Sequence, residues 1–214
     1  RFEASFPASS LYEYYGSSEL GYVTLLAPRD AREAPETIGT PFPGVEVAFF
    51  DEKGQPVPPG KPGKLFVRSP QTFEGFIDQE QNAVSFQGEW VTSHDIGFVR
   101  REDGRIMLLG RDRDVIKAGG SLVYALEVET VLMSIEGVKE AAVIPGPDPV
   151  RGEAVWAAVS LEKGAVLANV QKALRRCLNP SKRPRKWRVF AKLPKNRNGK
   201  IDKPRIALSM LSDS

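Results

Sequence analysis

Four short segments carry side chains able to do chemistry. The run Leu193-Pro194-Lys195-Asn196-Arg197-Asn198-Gly199-Lys200 places an ammonium on a Gly-centred turn, where a compact, mobile charge can meet a reacting carboxylate or phosphate. Tyr15-Gly16-Ser17-Ser18-Glu19 joins an aromatic plane, a flexible turn, a hydroxyl and a carboxylate. Tyr15 could stack on a base, Ser18 could donate to a phosphate oxygen, and Glu19 could hold Mg²⁺ through oxygen. A strand-ending turn accounts for the same five residues. In Ser93-His94-Asp95 a carboxylate lies between two predicted strands, suited to accept both hydroxyls of a ribose or, equally, to cap a turn. Within Gly110–Gly120, Arg111 could bind a sugar or phosphate through its fork, and Gly119-Gly120 permits a tight turn or a narrow channel wall. The alternative there is a salt-bridged linker followed by a turn.

His94 is the single histidine, and no cysteine or second histidine completes a common zinc site with it. The single cysteine, Cys177, excludes an internal disulfide, and its helical spacing from Val170 and Leu174 predicts a buried packing position. A reducing, cytoplasmic setting is expected, with peripheral membrane association and oligomeric state left open. No apolar run has the length of a membrane span. The formal net charge of +3 hides an uneven distribution: eleven Lys and Arg against one acidic residue between Lys182 and Arg205. Such a stripe suits nucleic acid, an anionic membrane or a polyphosphate. Trp187, Val189 and Leu193 interrupt it at strand-like intervals, which favours a folded strand entering a loop over a disordered basic arm.

The elements that must position these groups fall into three stretches. Residues 1–35 read as an irregular remnant with one short strand near Leu11–Tyr15. Residues 36–111 carry recurrent short strands punctuated by Gly and Pro turns, a β-rich subdomain in the form of a distorted barrel. Residues 112–214 read as an α+β module, with a helix from Leu122 to Ile135, strands Val138–Ile144 and Ala154–Leu161, a helix from Leu167 to Leu178 and a strand Trp187–Phe190. Near-continuous apolar character predicts that the two long strands are covered on both faces. The fold read from these elements is a β-rich subdomain followed by a small α+β domain.

The order and mutual spacing of Tyr15–Glu19, Ser93–Asp95, Gly110–Gly120 and Gly199–Lys200 resemble the adenylate-forming superfamily, which includes acyl-CoA synthetases, luciferases and nonribosomal adenylation domains. The resemblance runs from Leu11 to Leu208, is nearer to the CoA ligases and places these elements within a multi-domain α/β enzyme. It implies that Tyr15, beside Gly16, stacks on adenine. Ser18 would contact phosphate or the acyl carboxylate, and Glu19 would help bind Mg²⁺. Asp95 would hold the ribose, Arg111 would assist at ribose and phosphate, and Arg113 would be the hinge. Lys117 would serve the second half-reaction, while Gly119 and Gly120 would border the pantetheine passage. Lys200 would bridge carboxylate and α-phosphate. ATP, Mg²⁺, coenzyme A and a carboxylic acid, with a fatty acid as the broadest choice, are the implied cofactors and substrates.

Two departures accompany the resemblance. His94 stands where the Thr-Gly-Asp pattern has glycine, and the family's phosphate-binding loop is absent from these residues. The chain is thus expected to be a C-terminal portion that needs an N-terminal portion for turnover. Two alternatives stay in view. One is adenylation for transfer to a carrier protein; the other is a nonenzymatic anion- or nucleic-acid-binding module.

Overall fold

The computed structural model describes residues 5, 6 and 8–212, which form two compact units, Arg1–Asp112 and Arg113–Ser214. The first unit begins with an antiparallel ribbon, β1 (Glu13–Ser17) against β2 (Gly21–Leu26), extended by a two-residue β3 (Thr40–Pro41). The register slips between Tyr15 and Gly16. A side chain at Gly16 would meet the carbonyl oxygen of Gly21 at 2.1 Å, so the bulge accepts only glycine. Between β2 and β3 lies a short helix, α1 (Pro28–Glu33).

The larger sheet of this unit centres on β5 (Gly63–Arg68), with β4 (Glu46–Phe50) along one edge. On the other edge are the pairs β6 (Phe86–Gln87) with β7 (Trp90–Val91), and β8 (Asp95–Val99) with β9 (Ile106–Arg111). The ladder stays open: β6 and β9 end the strand order, so the barrel expected from the turn spacing does not close. A helix the sequence reading missed, α2 (Gln79–Ser85), starts where the Asp78 carboxylate accepts the Glu80 N–H. Leu20 and Val23 from the ribbon pack with Phe49, Leu65, Val67, Val91 and Ile106 from the sheet in one core. Arg105 reinforces the join by ion-pairing with Asp30 and Glu33 of α1 and Asp103 of its own turn.

The second unit is a five-stranded sheet between two layers of helix. It opens with a hairpin, β10 (Val115–Ala118) and β11 (Ser121–Tyr124). Gly119 and Gly120 have φ of 57° and 80°, the left-handed pair that a two-residue turn demands. The sequence reading started a helix at Leu122; the helix, α3 (Ala125–Met133), begins only after this hairpin. The reason lies in the burial. Ile116, Ala118 and Val123 face the core while Leu122 is exposed, the period-two pattern of a strand.

Strands β12 (Val138–Asp148) and β13 (Gly152–Leu161) pair along their length. Ala141, Val143, Val155, Ala157 and Val159 face α3 and α4 (Leu167–Cys177) in one core. Ala142, Ile144, Ala154, Trp156 and Ala158 face α5 (Lys203–Leu211) in the other, as two-sided coverage requires. Helix α4 carries the chain across to β14 (Lys186–Phe190), which runs parallel to β13. Cys177 corrects the sequence reading, because it is exposed. The helix ends there, and Leu178, in extended backbone, takes the buried place instead. Among the described residues no helix is long and apolar enough to cross a membrane.

Candidate active site

In the first unit, the bulge in β1 and the facing ends of β8 and β9 bring four of the singled-out residues together. Tyr15 stands at the bulge in β1, Asp95 opens β8, and Arg111 closes β9 directly opposite Asp95 in the ladder. The Tyr15 hydroxyl donates to Asp95 Oδ2, and the Ser93 hydroxyl donates to the same oxygen at 2.7 Å. The two hydroxyls lie 3.0 Å apart. Arg111 Nε is 3.6 Å from Asp95 Oδ1. Burial, followed by the neighbouring Asp95 charge, pushes the Tyr15 phenol above the usual tyrosine range, so it stays a neutral donor. The Asp95 side chain is 13% exposed and that of Arg111 51%, leaving the carboxylate sheltered and the guanidinium reachable. Such a cluster can accept a hydroxyl through the carboxylate and meet a phosphate or second hydroxyl through the arginine.

The loop between Ser93 and Asp95 explains the departure at His94. His94 has φ of 64°, the one left-handed residue other than glycine among those described. A β-carbon is strained in that region, which is why glycine suits the position, though His is among the residues that tolerate it. The loop is pinned on every side. Thr92 Oγ1 accepts the His94 N–H at 2.9 Å, the His94 carbonyl accepts the Asp112 N–H at 2.9 Å, and the ring Nε2 lies 3.2 Å from Ser85 Oγ. Partial burial, and then the charge of Lys64, hold the imidazole below its ordinary pKa, so it is neutral at pH 7. His94 thus props the Asp95 loop against α2.

Ser18 and Glu19 lie beyond the ribbon bulge and line a cavity of about 440 Å³ with Phe73, Phe76, Ile77 and Asp78. Among the described residues no group of three metal-binding side chains exists. Two carboxylates, Glu19 and Asp78, line that cavity, oxygen donors of the type that Mg²⁺ takes beside its waters and substrate phosphates.

Arg113, the first residue of the second unit, lies in a 3-10 turn, Asp112–Asp114, that leads into β10 and is exposed. Lys117 is exposed on β10, its backbone N–H held by Glu153 at 2.6 Å. Gly119 and Gly120 form the hairpin turn, with the Arg151 side chain against Gly119. Lys200 is exposed beside Gly199, whose φ is 76°. Its ammonium makes no hydrogen bond or ion pair among the described residues. A network absent from the sequence reading sits nearby. Lys203 Nζ contacts Glu129 at 3.0 Å and Asp114 at 3.3 Å, and Glu129 also accepts the Val143 N–H at 2.7 Å. No spacing rule connects residues from a turn, a helix and a helix start, so the sequence held no signal for it.

Part of the basic stripe is engaged inside the unit. Lys182 pairs with Glu127 and Lys195 with Glu140, while Arg183, Lys186 and Arg188 donate to backbone carbonyls.

Comparison with known proteins finds relatives of both units. Residues 1–77 match the AMP-binding enzyme family and residues 127–200 match the AMP-binding enzyme C-terminal domain. An uncharacterized acyl-CoA ligase, YhfT, of Bacillus subtilis is 35% identical over 95% of this chain and 41% of its own length. The long-chain-fatty-acid–CoA ligase of the same species is 34% identical over 92% of this chain and 36% of its own length. Among solved structures, the amide bond synthetase McbA from Marinactinospora thermotolerans matches with a TM-score of 0.86 at 35% identity, over 93% of this chain and 42% of that one. The o-succinylbenzoate CoA synthetase MenE of Bacillus subtilis, solved with its acyl-adenylate, gives a TM-score of 0.86 at 28% identity, over 95% of this chain and 42% of that one. The chain thus spans about two fifths of the relatives it matches. With the paired motifs, the strand-end cluster and both family matches in hand, the chain belongs to the adenylate-forming AMP-binding enzyme family.

Proposed function

We propose that this chain supplies the ribose-binding cluster and the catalytic lysine of an ATP-dependent acyl-CoA ligase, with a medium- or long-chain fatty acid as substrate. The observation that carries the reading is the convergence of Tyr15, Ser93 and Arg111 on Asp95. The β1 bulge and two strand ends present an aromatic ring, one sheltered carboxylate and a reachable guanidinium, which suits a nucleoside monophosphate.

In the first half-reaction a substrate carboxylate oxygen attacks the α-phosphorus of ATP. The P–O bond to the β-phosphate breaks, giving acyl-AMP and pyrophosphate. The Asp95 carboxylate orients the ribose, Tyr15 covers the base, and Arg111 meets the ribose and phosphate oxygens. Negative charge grows on the α-phosphate as the new bond forms, and the Lys200 ammonium offsets it. Ser18 donates to phosphate or acyl oxygen. Mg²⁺, held through Glu19, would neutralise the phosphate charge. In the second half-reaction CoA thiolate attacks the acyl carbonyl and AMP leaves with the C–O bonding pair. Lys117 and the Gly119-Gly120 turn belong to this step. Because the two reactions need different surroundings at one nucleotide, Arg113 serves as the pivot between the units. The phosphate-binding loop comes from the rest of the enzyme.

Carboxylate-dependent exchange of pyrophosphate into ATP, measured on the intact ligase across a panel of acids, tests this reading. Exchange that needs a fatty acid and is lost in Lys200→Ala supports it; unchanged exchange in that variant defeats the assignment of Lys200. Product analysis with free CoA and with a carrier protein separates the two acceptors.

A further inference from the structure

Lys200 presents a difficulty that the turn around it resolves. A lysine on an exposed tip has a flexible four-carbon stem, and ordering it at a reacting centre costs conformational entropy. Any freedom in the backbone beneath adds to that cost. Here the backbone beneath is held by one side chain. Asn196 Oδ1 accepts the N–H of Asn198 and the N–H of Lys200, each at 3.0 Å. The Asn196 N–H donates to the Lys200 carbonyl at 2.8 Å, and the Asn196 carbonyl accepts the Gly199 N–H at 3.0 Å. Both peptide groups of Lys200 are therefore tied to the same residue.

The base of the turn is fixed as firmly. Lys195 and Ile201 bridge across it, and the Asp202 N–H donates to the Pro194 carbonyl at 2.9 Å. Leu193 is buried in the core beneath α5. Glu140, on β12, accepts the Leu193 N–H at 3.1 Å with one oxygen and pairs with Lys195 Nζ at 2.9 Å with the other. A side chain of the sheet thus clamps the strand of the turn that leads to Lys200.

We infer that Asn196 is a positioning residue for Lys200, with Glu140 anchoring the same turn to the sheet. Asn196 acts by fixing the backbone from which the ammonium is delivered and touches neither acid nor nucleotide. The inference rests on the role proposed above for Lys200. It extends that role from the charge to the device that aims it.

The test compares the two half-reactions in the intact ligase carrying Asn196→Ala, Asn196→Asp or Lys200→Ala. Asn196→Ala is expected to lower carboxylate-dependent pyrophosphate exchange by about 10–100-fold, the scale of a misplaced catalytic group. Consumption of preformed acyl-AMP by CoA should stay within about 2-fold, because Lys200 serves only the first step. Asn196→Asp keeps the accepting oxygen and should restore most of the exchange. In the 214-residue chain, Asn196→Ala should speed amide hydrogen exchange at Lys200. If Lys200→Ala abolishes exchange and Asn196→Ala does not lower it, the inference falls and the role of Lys200 stands. If Lys200→Ala leaves exchange intact, the role of Lys200 falls and the inference with it. Equal loss in both half-reactions, with no rescue by aspartate, marks a purely structural residue and also overturns it. Should Asn196→Ala fail to fold, Asn196→Gln, which moves the oxygen by one methylene, is judged on the same split.

Discussion

The Asp95 cluster and the Lys200 turn solve opposite problems. Asp95 is sheltered and satisfied by side chains from distant parts of its unit, the Tyr15 contact spanning 80 positions in sequence. Lys200 is exposed and unpaired, and everything that orders it lies within a few residues or on the adjoining strand. A group that must recognise a ligand gains from neighbours that keep its charge and aim in place before the ligand arrives. In the role proposed for Lys200, a group carried to its ligand gains from having no partner to leave, and from a backbone that fixes its direction. Pairing Lys200 with a carboxylate would lower its availability, while leaving Asp95 unpaired would charge its site a desolvation cost.

The comparison breaks most visibly at Lys200. Lys200→Ala should lower pyrophosphate exchange by about 10²–10³, the loss typical for one aimed donor to developing charge, while AMP affinity stays within about 2-fold. A comparable loss of AMP affinity would place Lys200 among the ground-state binding groups. Asp95→Ala should do the reverse. AMP binding, followed by calorimetry, should weaken by about 10–100-fold, as expected for removing a charged hydrogen-bonding partner. Binding unchanged by Asp95→Ala would remove the ribose role.

Acid sharpens the contrast in stability. The Lys195 ammonium, together with the Leu193 N–H, holds Glu140 below the ordinary carboxylate range. A carboxyl with a lowered folded-state pKa stabilises the fold above its unfolded value and loses that contribution as pH falls through the folded value. Acid titration of the second unit should therefore show a loss below about pH 4.5 that Glu140→Gln removes in part. An identical acid profile in the variant would show that the clamp contributes no pH-dependent stability.

The smallest effect is expected at His94. Its imidazole is also lowered, so its share of stability is complete above pH 6.5 and is lost as pH falls below that value. His94→Gly should flatten the loss of thermal stability as pH falls below 6.5 and relieve the left-handed strain, for a net change of no more than about 1 kcal/mol. A large destabilisation would mean that the contact with Ser85, and not the loop geometry, governs this position.

How much of this was legible in advance differs between the two regions. At the Lys200 turn, Asn196-Arg197-Asn198-Gly199 is a local signal, because Asn side chains bind backbone two residues on and glycine takes positive φ at little cost. At the hairpin of β10 and β11, Gly119-Gly120 gave the same kind of signal, and the period of Val123 and Leu122 gave it again. The helical reading there failed because Leu126, Val128, Val131 and Leu132 extend a helix pattern backward over a strand that ends at Tyr124. At Cys177 the apolar face shifts by one residue: the last helical residue is exposed, and Leu178, in extended backbone, is buried instead.

Local chemistry, turn type and the alternation that covers both faces of β12 and β13 are properties of neighbouring residues, and the chain order specifies them directly. The partners of Asp95 and the internal pairing of the basic stripe are set by which elements pack together, since charges and hydroxyls far apart in sequence meet only after the apolar cores close. Folding converts part of a stripe of eleven Lys and Arg, uniform on paper, into anchors such as Lys182, Lys195 and Lys203, each paired with a carboxylate, and leaves Lys200 exposed on a turn that fixes its backbone.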